Sequence, residues 1–461
     1  MGVLDRFFEL TGRGTTVGRE VRGGITTFVA MAYIILLNPI ILAGARDVTG
    51  ARLSIAELTT STALAAAIST LLMAVVGNAP FGLAAGLGLN AVVAYQAAPH
   101  MTWAQAMGLV VLEGLAIVLL AVTGLRTLIM NAIPLALKHA ISVGIGLFIA
   151  LIGLVDAGFV ARGTGTPVQL GATGQLTGWP VVMFCFGLLL MIVLFARRIP
   201  GAILLAIAVT AALSVLVNSL ARVPPESWGV VTPRVPESLV AAPSFGLVGA
   251  VDVFGGFARA GALTASVVLF TLVLSGFFDA MGTIIGVSDE AGLVDRRGQV
   301  PRLGRILTVD GVAGMVGGGV SSSANTVFVE SAAGVGEGAR TGLASVVTGA
   351  LLGLTLLFTP LAAVVPAAAA APALVLVGAL MMMQSKNVPW DDVELAVPAF
   401  LTIALMPFTY SITNGVGAGV IVYTLIKAAR GKFAEIPWLL WVVSAIFLAY
   451  FGMDWLERLF A

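Results

Sequence analysis

Cysteine occurs once in the chain, at Cys185, so no internal disulfide can form. It lies in an apolar run, where a buried and inert thiol is expected. Histidine occurs twice, at His100 and His139, too few for a His-based metal site. Charge is scarce as well. Only 10% of the residues are Asp, Glu, Lys or Arg, against about 25% in a soluble globular domain. That leaves too little charge to solvate a surface, which excludes a soluble enzyme and a disordered chain. The 24 basic and 23 acidic residues nearly cancel, so no field draws in nucleic acid. Motifs of soluble enzymes are missing too: no G-x-x-x-x-G-K-[ST] phosphate loop, no H-E-x-x-H and no Cys pair. Gly86-x-Gly88 and Gly336-x-Gly338 sit in no soluble strand–helix unit. No enzyme activity, metal or cofactor is therefore expected. What the chain has is apolar mass. Hydrophobic residues make up 59%, with 55 Gly, a residue that suits close helix packing in lipid. The sequence reads as an all-α membrane protein whose first partner is the lipid bilayer.

A helix needs about 20 apolar residues to cross the hydrocarbon core. By that ruler, spans lie near 24–45, 54–76, 81–98, 104–124, 133–154, 179–196 and 199–220. A second set lies near 263–287, 304–319, 320–335, 340–363, 364–384, 394–411 and 413–430. Between the sets, 221–243 is polar and carries Pro224-Pro225, the mark of an extended loop. A last apolar stretch, 437–452, is short and carries Trp438 and Trp441. It reads as an interfacial helix, with an extra span as the alternative. Residues 1–23 hold acids, four Arg and no A-x-A site, and do not read as a signal peptide.

Charge orients these spans. With a cytoplasmic N-terminus and fourteen alternating spans, the inner face collects Arg6, Arg13, Arg19, Arg22, Arg126, Lys138, Arg197, Arg198, Arg296, Arg297, Arg302, Arg305, Arg340, Lys386, Lys427, Arg430 and Lys432. The outer face receives only Arg46, Arg52, Arg162, Arg222, Arg234 and Arg259, and Arg458 lies beyond the last stretch. The bias supports a multi-pass protein of the plasma membrane with its N-terminus inside.

Two internal matches share an offset near half the chain length. Asn90 to Ala98 resembles Asn325 to Ala333, at offset 235, and Ile133-Pro134 to Gly146 resembles Val365-Pro366 to Gly378, at offset 232. Seven spans is an odd number, so the second half enters the membrane inverted, as in secondary transporters. The third and tenth spans are unusual. Phe81 to Asn90 is rich in Gly, and Val316 to Thr326 is rich in Gly and Ser. Gly costs about 1 kcal/mol against Ala in a helix. Each span is expected to start as a short extended segment and continue as a half-helix inside the membrane. Such breaks are tolerated where protein or a cavity covers them, and they point to a binding site. Ser321 to Ser323 and Asn325 then need hydrogen-bond partners.

Ionisable groups within spans are few and costly. Asp279 lies in the eighth span and Glu330 follows the break in the tenth; Glu113 and Asp310 lie in the fourth and ninth. No basic residue is expected at the depth of Asp279 and Glu330, so each is protonated, bound to a ligand or facing water. A group of that kind can load and release a proton, as a proton-coupled carrier requires. An ionised carboxylate accepts two parallel N–H bonds and so fits a planar heterocycle with adjacent donors. Phe278 and Phe328 each adjoin one of these acids and are placed to stack on a flat base. Glu113 and Asp310 have a second explanation, as hydrogen-bonding groups between neighbouring helices.

At this point the sequence resembles a known group. Thr26-Thr27-Phe28 through Asn38-Pro39 is similar to the first span of the azaguanine-type purine permeases, within the nucleobase–cation symporter superfamily that includes uracil and xanthine permeases. Gly86 to Ala91, Phe278-Asp279-x-x-Gly282-Thr283, Val329-Glu330-Ser331 to Gly334, Arg340 to Leu343, and Met406 to Ile412 with Asn414-Gly415 resemble that group's signatures in order. The resemblance implies fourteen spans in two inverted seven-span repeats. Residues 24–124 and 261–363 would form a core domain, 133–220 and 364–430 a gate domain, and 221–260 an extracellular loop with a short helix. It implies import of hypoxanthine, guanine or adenine with protons, frequently as a homodimer. It assigns substrate binding and proton coupling to Asp279 and Glu330. Asn90, Thr283, Asn325 and Thr326 join Phe278 and Phe328 as further substrate-binding positions. Family members often carry another acid where this chain has Gly276, and a Thr-Thr-Tyr where it has Thr326-Val327-Phe328. The alternative reading is an anion permease of the same fold, of sulphate or bicarbonate type, whose substrate would want a positive site.

Overall fold

In a computed structural model of the chain, the structure describes residues 3–124, 133–163, 165–236, 238–293, 300–362 and 364–452. Arg126, Arg296, Arg297 and Arg458 of the charge pattern lie outside the described residues. The described chain is mostly helical. Ten helices among these residues are long and apolar enough to cross a membrane, and Val393–Phe408 and Trp438–Phe451 are shorter apolar helices.

A short helix α1 (Val3–Phe8) precedes α2 (Val17–Met31) and α3 (Ile34–Gly44), which form one apolar rod interrupted at Ala32-Tyr33. Then come α4 (Ile55–Leu72), strand β1 (Leu83–Ala85), the half-helix α5 (Leu87–Val92) and α6 (Trp103–Thr123). The middle of the chain holds α7 (Leu135–Asp156), the two-residue strands β2 (Val160–Ala161) and β3 (Gln169–Leu170), α8 (Trp179–Ala196) and α9 (Ala202–Ala221). Beyond α9, the described residues up to 243 are irregular apart from one 3-10 turn, Pro225–Trp228. Trp228 is buried there and donates to Asn218 Oδ1. After α10 (Gly255–Ala260) follow α11 (Ala262–Glu290), α12 (Leu303–Gly319), strand β4 (Asn325–Val327), the half-helix α13 (Ser331–Gly336), α14 (Gly342–Leu354) and α15 (Thr359–Ala362). The chain continues through α16 (Ala367–Met382), α17 (Val393–Phe408), α18 (Ile412–Ala429) and α19 (Trp438–Phe451).

The extended segments expected in the third and tenth spans are present, and they pair with each other. β1 and β4 run antiparallel, with Leu83 opposite Val327, Ala84 opposite Thr326 and Ala85 opposite Asn325. Gly86 N–H donates to the Ala324 carbonyl and Phe328 N–H to the Gly82 carbonyl, both at 2.9 Å, which extends the ribbon at both ends. A two-stranded ribbon leaves an open edge on each side, and inside a membrane no water can satisfy it. Side chains do so instead. The Thr70 hydroxyl accepts from Leu83 N–H at 2.9 Å and donates to Leu83 O at 3.1 Å. On the other edge Asp310 Oδ1 accepts from Val327 N–H at 3.1 Å and from the Thr326 hydroxyl at 3.0 Å.

The extended part of the tenth span is shorter than its composition suggests. Gly317 to Gly319 complete the last turn of α12 instead of opening the strand. Their small size serves packing at two positions: a Cβ on Gly317 would meet Ser323 O at 2.0 Å, and one on Gly318 would meet Met107 O at 2.9 Å. Helices also cross glycine on glycine. A Cβ on Gly114 of α6 would stand 2.4 Å from Gly311 O of α12, and one on Gly146 of α7 would stand 2.8 Å from Gly378 O of α16. Such contacts bring backbones close enough for dispersion to bind helices that lipid would otherwise solvate equally well.

Gly146 and Gly378 are the residues paired by the sequence match at offset 232, and α7 and α16 begin at Leu135 and Ala367 with that same offset. The match at offset 235 is out of register. It aligns Asn90, inside α5, with Asn325, which opens β4. The strands are related by 85 to 327 and the half-helices by 87 to 331, a larger offset. Short Ala-rich runs align easily in more than one register, and only backbone hydrogen bonding fixes which residues are extended.

Candidate functional site

The paired strands hold two half-helix starts against α11, and a cavity of about 560 Å³ opens there. Asp279, Phe278 and Thr283 line it from α11. Thr326, Phe328 and Glu330 line it from β4 and the turn into α13. Six of the eight expected binding residues therefore converge on one space. Asp279 lies near enough to Glu330 for their charges to interact. Asp279 opens to the cavity, Glu330 is half-buried beside it, and Phe328 is buried at 6% exposure.

Asn90 and Asn325 are not among the cavity walls. Asn325 is turned into the protein, where its Nδ2 donates to Ser69 Oγ at 3.2 Å. Asn90 is fully buried on α5, and neither of its amide atoms has a hydrogen-bond partner among the described residues. Of the three serines expected to need partners, Ser321 donates to Leu247 O at 3.2 Å, while the hydroxyls of Ser322 and Ser323 have none among the described residues. Gly282 lines the cavity, and a Cβ there would meet nothing within 4 Å.

Sequence reasoning missed two residues of this site. The first is Tyr33, at the break between α2 and α3. Its hydroxyl donates to Glu330 Oε1 at 2.5 Å, and the ring is 1% exposed. The phenol therefore fixes the carboxylate's orientation from a helix remote in sequence. The second is Lys138 on α7, which lines the same cavity with its Nζ 5.2 Å from the centre of the Phe278 ring. Against the expectation of no basic residue at the depth of Asp279 and Glu330, Lys138 lines the cavity that both acids share. Lys138 is an end-of-span charge in the sequence, and its first-turn position on α7 and its long stem carry the ammonium to the cavity wall. Neighbouring His139, Ser142 and Gln384 line the same wall.

Glu113 and Asp310 lie behind the site. Asp310 caps the β4 edge, so it supports the strand that presents Thr326 and Phe328. Glu113 is 1% exposed on α6, near enough to Asp310 for their charges to interact, and its Oε2 has no hydrogen-bond partner among the described residues. A Cβ on Gly276 would stand 2.4 Å from Glu113 Oε1. The Glu113 carboxyl, arriving from α6, thus occupies the space that a side chain at position 276 would take.

This architecture has counterparts. The Xan_ur_permease model, described as a permease family, matches residues 18–417. The chain belongs to this permease family. Over 97% of its length it is 36% identical to the guanine/hypoxanthine permease PbuG of Bacillus subtilis, covering 99% of that protein. It is 35% identical to the adenine permease AdeQ of Escherichia coli over 97% of this chain and 95% of that one. Among solved structures, the transmembrane domain of the cyanobacterial bicarbonate transporter BicA superposes with a TM-score of 0.59 over 87% of this permease and 97% of that chain, at 16% identity. The SLC26A9 structure gives 0.60 at 12% identity, over 90% of this permease and 66% of that chain. At such identities the likeness is one of fold.

Proposed function

We propose that this permease imports purine nucleobases, among them hypoxanthine, guanine and adenine, across the plasma membrane together with protons. The observation that carries the reading is that Asp279 and Glu330, with Phe278 and Phe328 beside them in sequence, line a single cavity between interrupted spans. A purine offers ring N–H donors in one plane and two apolar faces. Carboxylates accept the donors, and phenyl rings cover the faces. Tyr33 holds Glu330 ready, so little ordering remains for binding to drive. Protonation of one acid would neutralise it and leave the other to bind substrate. That couples proton and base occupancy at a single site.

In this reading fourteen spans form two inverted seven-span repeats. Residues 24–124 and 261–363 form a core that carries the acids. Residues 133–220 and 364–430 form a gate that carries Lys138, and the N-terminus is cytoplasmic. The Gly146–Gly378 crossing at the shared offset and the joint ribbon of β1 and β4 support a two-repeat design. Lys138 would then be the gate's cation facing the core's acids.

Lys138 and the anion-transporting neighbours in fold favour a second reading, an anion permease. The two carboxylates lining the same cavity oppose it, because an anion would have to enter beside them. Counterflow in proteoliposomes decides between the two. Preloaded hypoxanthine should drive uptake of labelled hypoxanthine, and preloaded sulphate should drive no sulphate uptake. Sulphate or bicarbonate counterflow without purine counterflow would overturn the proposal.

A further inference from the structure

A second cavity of about 560 Å³ lies at the far end of α11, away from the purine site. Three arginines from separate segments line it: Arg13 from the stretch before α2, Arg302 at the start of α12 and Arg340 between α13 and α14. Among the described residues, one carboxylate on its walls faces these three guanidinium groups. Glu9 pairs with Arg13 at 3.2 Å and with Arg302 at 2.7 Å. Arg340 Nη1 is held by the carbonyls of Val335 and Ala339, and no carboxylate among the described residues pairs with its guanidinium. The Ser288 hydroxyl also lines the space. It is fully buried and has no hydrogen-bond partner among the described residues.

The scaffold around this cavity is built tightly. Arg13 Nη1 donates to Asn78 O at 2.8 Å and to Arg340 O at 3.1 Å, while Asn78 Oδ1 accepts from Gly342 N–H at 2.9 Å. The guanidinium groups of Arg13 and Arg340 are thus anchored in part by backbone carbonyls, which consume donors without neutralising charge, while Arg302 is held by Glu9. A half-buried surplus of positive charge beside an unpaired hydroxyl is costly unless an anion shares the space. Guanidinium forks match phosphate oxygens, and a serine hydroxyl adds one further donor. The volume falls within the range of small-molecule sites, about 300–1,000 Å³, and well exceeds that of a bare ion.

We infer that this cavity binds a phosphate-bearing anion, held by Arg13, Arg302, Arg340 and Ser288. The phosphate belongs either to a soluble phosphate ester or to the headgroup of an anionic lipid. Ser288 follows Asp279 on α11 by nine residues, about 14 Å along the axis. A ligand here would brace the end of the helix that carries the substrate acid. The inference does not depend on the purine reading, because it is tested by binding alone.

The test is thermal unfolding of the full-length protein in nanodiscs of zwitterionic lipid, at ionic strength matched with chloride. Inorganic phosphate and a nucleoside monophosphate serve as soluble probes, and nanodiscs containing phosphatidylglycerol as the lipid probe. A saturating ligand should raise Tm by about 2–4 °C. Arg302→Gln should weaken binding about ten- to a hundredfold, because a charged hydrogen bond is lost. Ser288→Ala, which removes only a buried hydroxyl and keeps the scaffold intact, should weaken it severalfold. A shift with soluble probes identifies a phosphate ester; a shift confined to phosphatidylglycerol identifies a headgroup. Either supports the site only if Ser288→Ala or Arg302→Gln diminishes it and the distant Arg234→Gln does not. No shift with any probe, or equal shifts in all variants, would overturn the inference.

Discussion

The Tyr33–Glu330 hydrogen bond gives the sharpest test of the substrate site. At 2.5 Å it joins a phenol 1% exposed to a carboxylate on the cavity wall, across 297 residues of sequence. Tyr33→Phe removes the donor and leaves the ring's packing intact. A charge-assisted hydrogen bond contributes about 1.5–3 kcal/mol, but Glu330 would recover part of that from substrate or water. The expected loss in hypoxanthine affinity is therefore about five- to twentyfold. Glu330→Gln keeps the shape but exchanges two charged acceptors for one neutral acceptor and a donor. Its loss should be larger, about ten- to a hundredfold. In the double variant the Tyr33→Phe effect should nearly vanish, because the phenol acts through the carboxylate. The assay is equilibrium binding of labelled hypoxanthine to purified protein, combined as a double-mutant cycle. A coupling of at least about 1 kcal/mol is expected between residues in direct contact. Strict additivity, or unchanged affinity in Glu330→Gln, would refute the positioning role and the assignment of Glu330.

Further outcomes can be checked separately. Phe278→Ala and Phe328→Ala should each weaken purine binding by about 1–3 kcal/mol if the rings cover the base; normal transport by both variants would exclude stacking. Gly276→Glu should destabilise the fold, since its Cβ alone would stand 2.4 Å from Glu113 Oε1, and Glu113→Gly should restore the loss in Tm. Collapsing the pH gradient at constant sodium should stop purine accumulation and spare exchange, whereas accumulation driven by sodium at equal pH would refute proton coupling. Asp47, in the loop after α3, supplies a pH test outside the spans. Burial pushes its carboxyl up, but hydrogen bonds from Thr49, Trp103 and Ala51 outweigh this and hold it below the usual carboxylate range. A depressed carboxyl stabilises the fold above its unfolded pKa, and the contribution fades as pH falls through the folded value. Asp47→Asn should therefore lower Tm at pH 7, and the gap to the parent should close as pH drops below about 4; a constant gap would refute the hydrogen-bond account.

Some features were legible before any fold was known because they are local. Apolar runs of span length, the Gly-rich interruptions and the rarity of charged residues within spans follow from what a bilayer tolerates. These identified Asp279 and Glu330 as neighbours of two broken spans, and the structure places both on one cavity. Local pattern was a poorer guide to how far each break extends. Gly317 to Gly319 have the composition of a loop but finish a helix, because close contact with Ser323 and Met107 rewards the absence of a side chain there.

By itself the sequence determined that the chain lives in lipid, where its helices are interrupted and which few acids lie at depth. These are properties of single segments meeting a solvent. Only the tertiary structure decided who faces whom. Tyr33 reaches Glu330 from the α2–α3 break, Lys138 reaches the Phe278 ring on the same cavity from α7, and nothing in their own segments marks the rotation or depth that brings them there. Asn90 and Asn325, equal candidates by residue type, turn away from the cavity. Asp310, one more intramembrane acid in the sequence, becomes the cap of a strand edge once β4 lies beside it. The physical reason is the same in each case. Lipid selects for apolar segments almost regardless of order, whereas unpaired backbone groups, glycine crossings and buried carboxylates are satisfied only by partners hundreds of residues away.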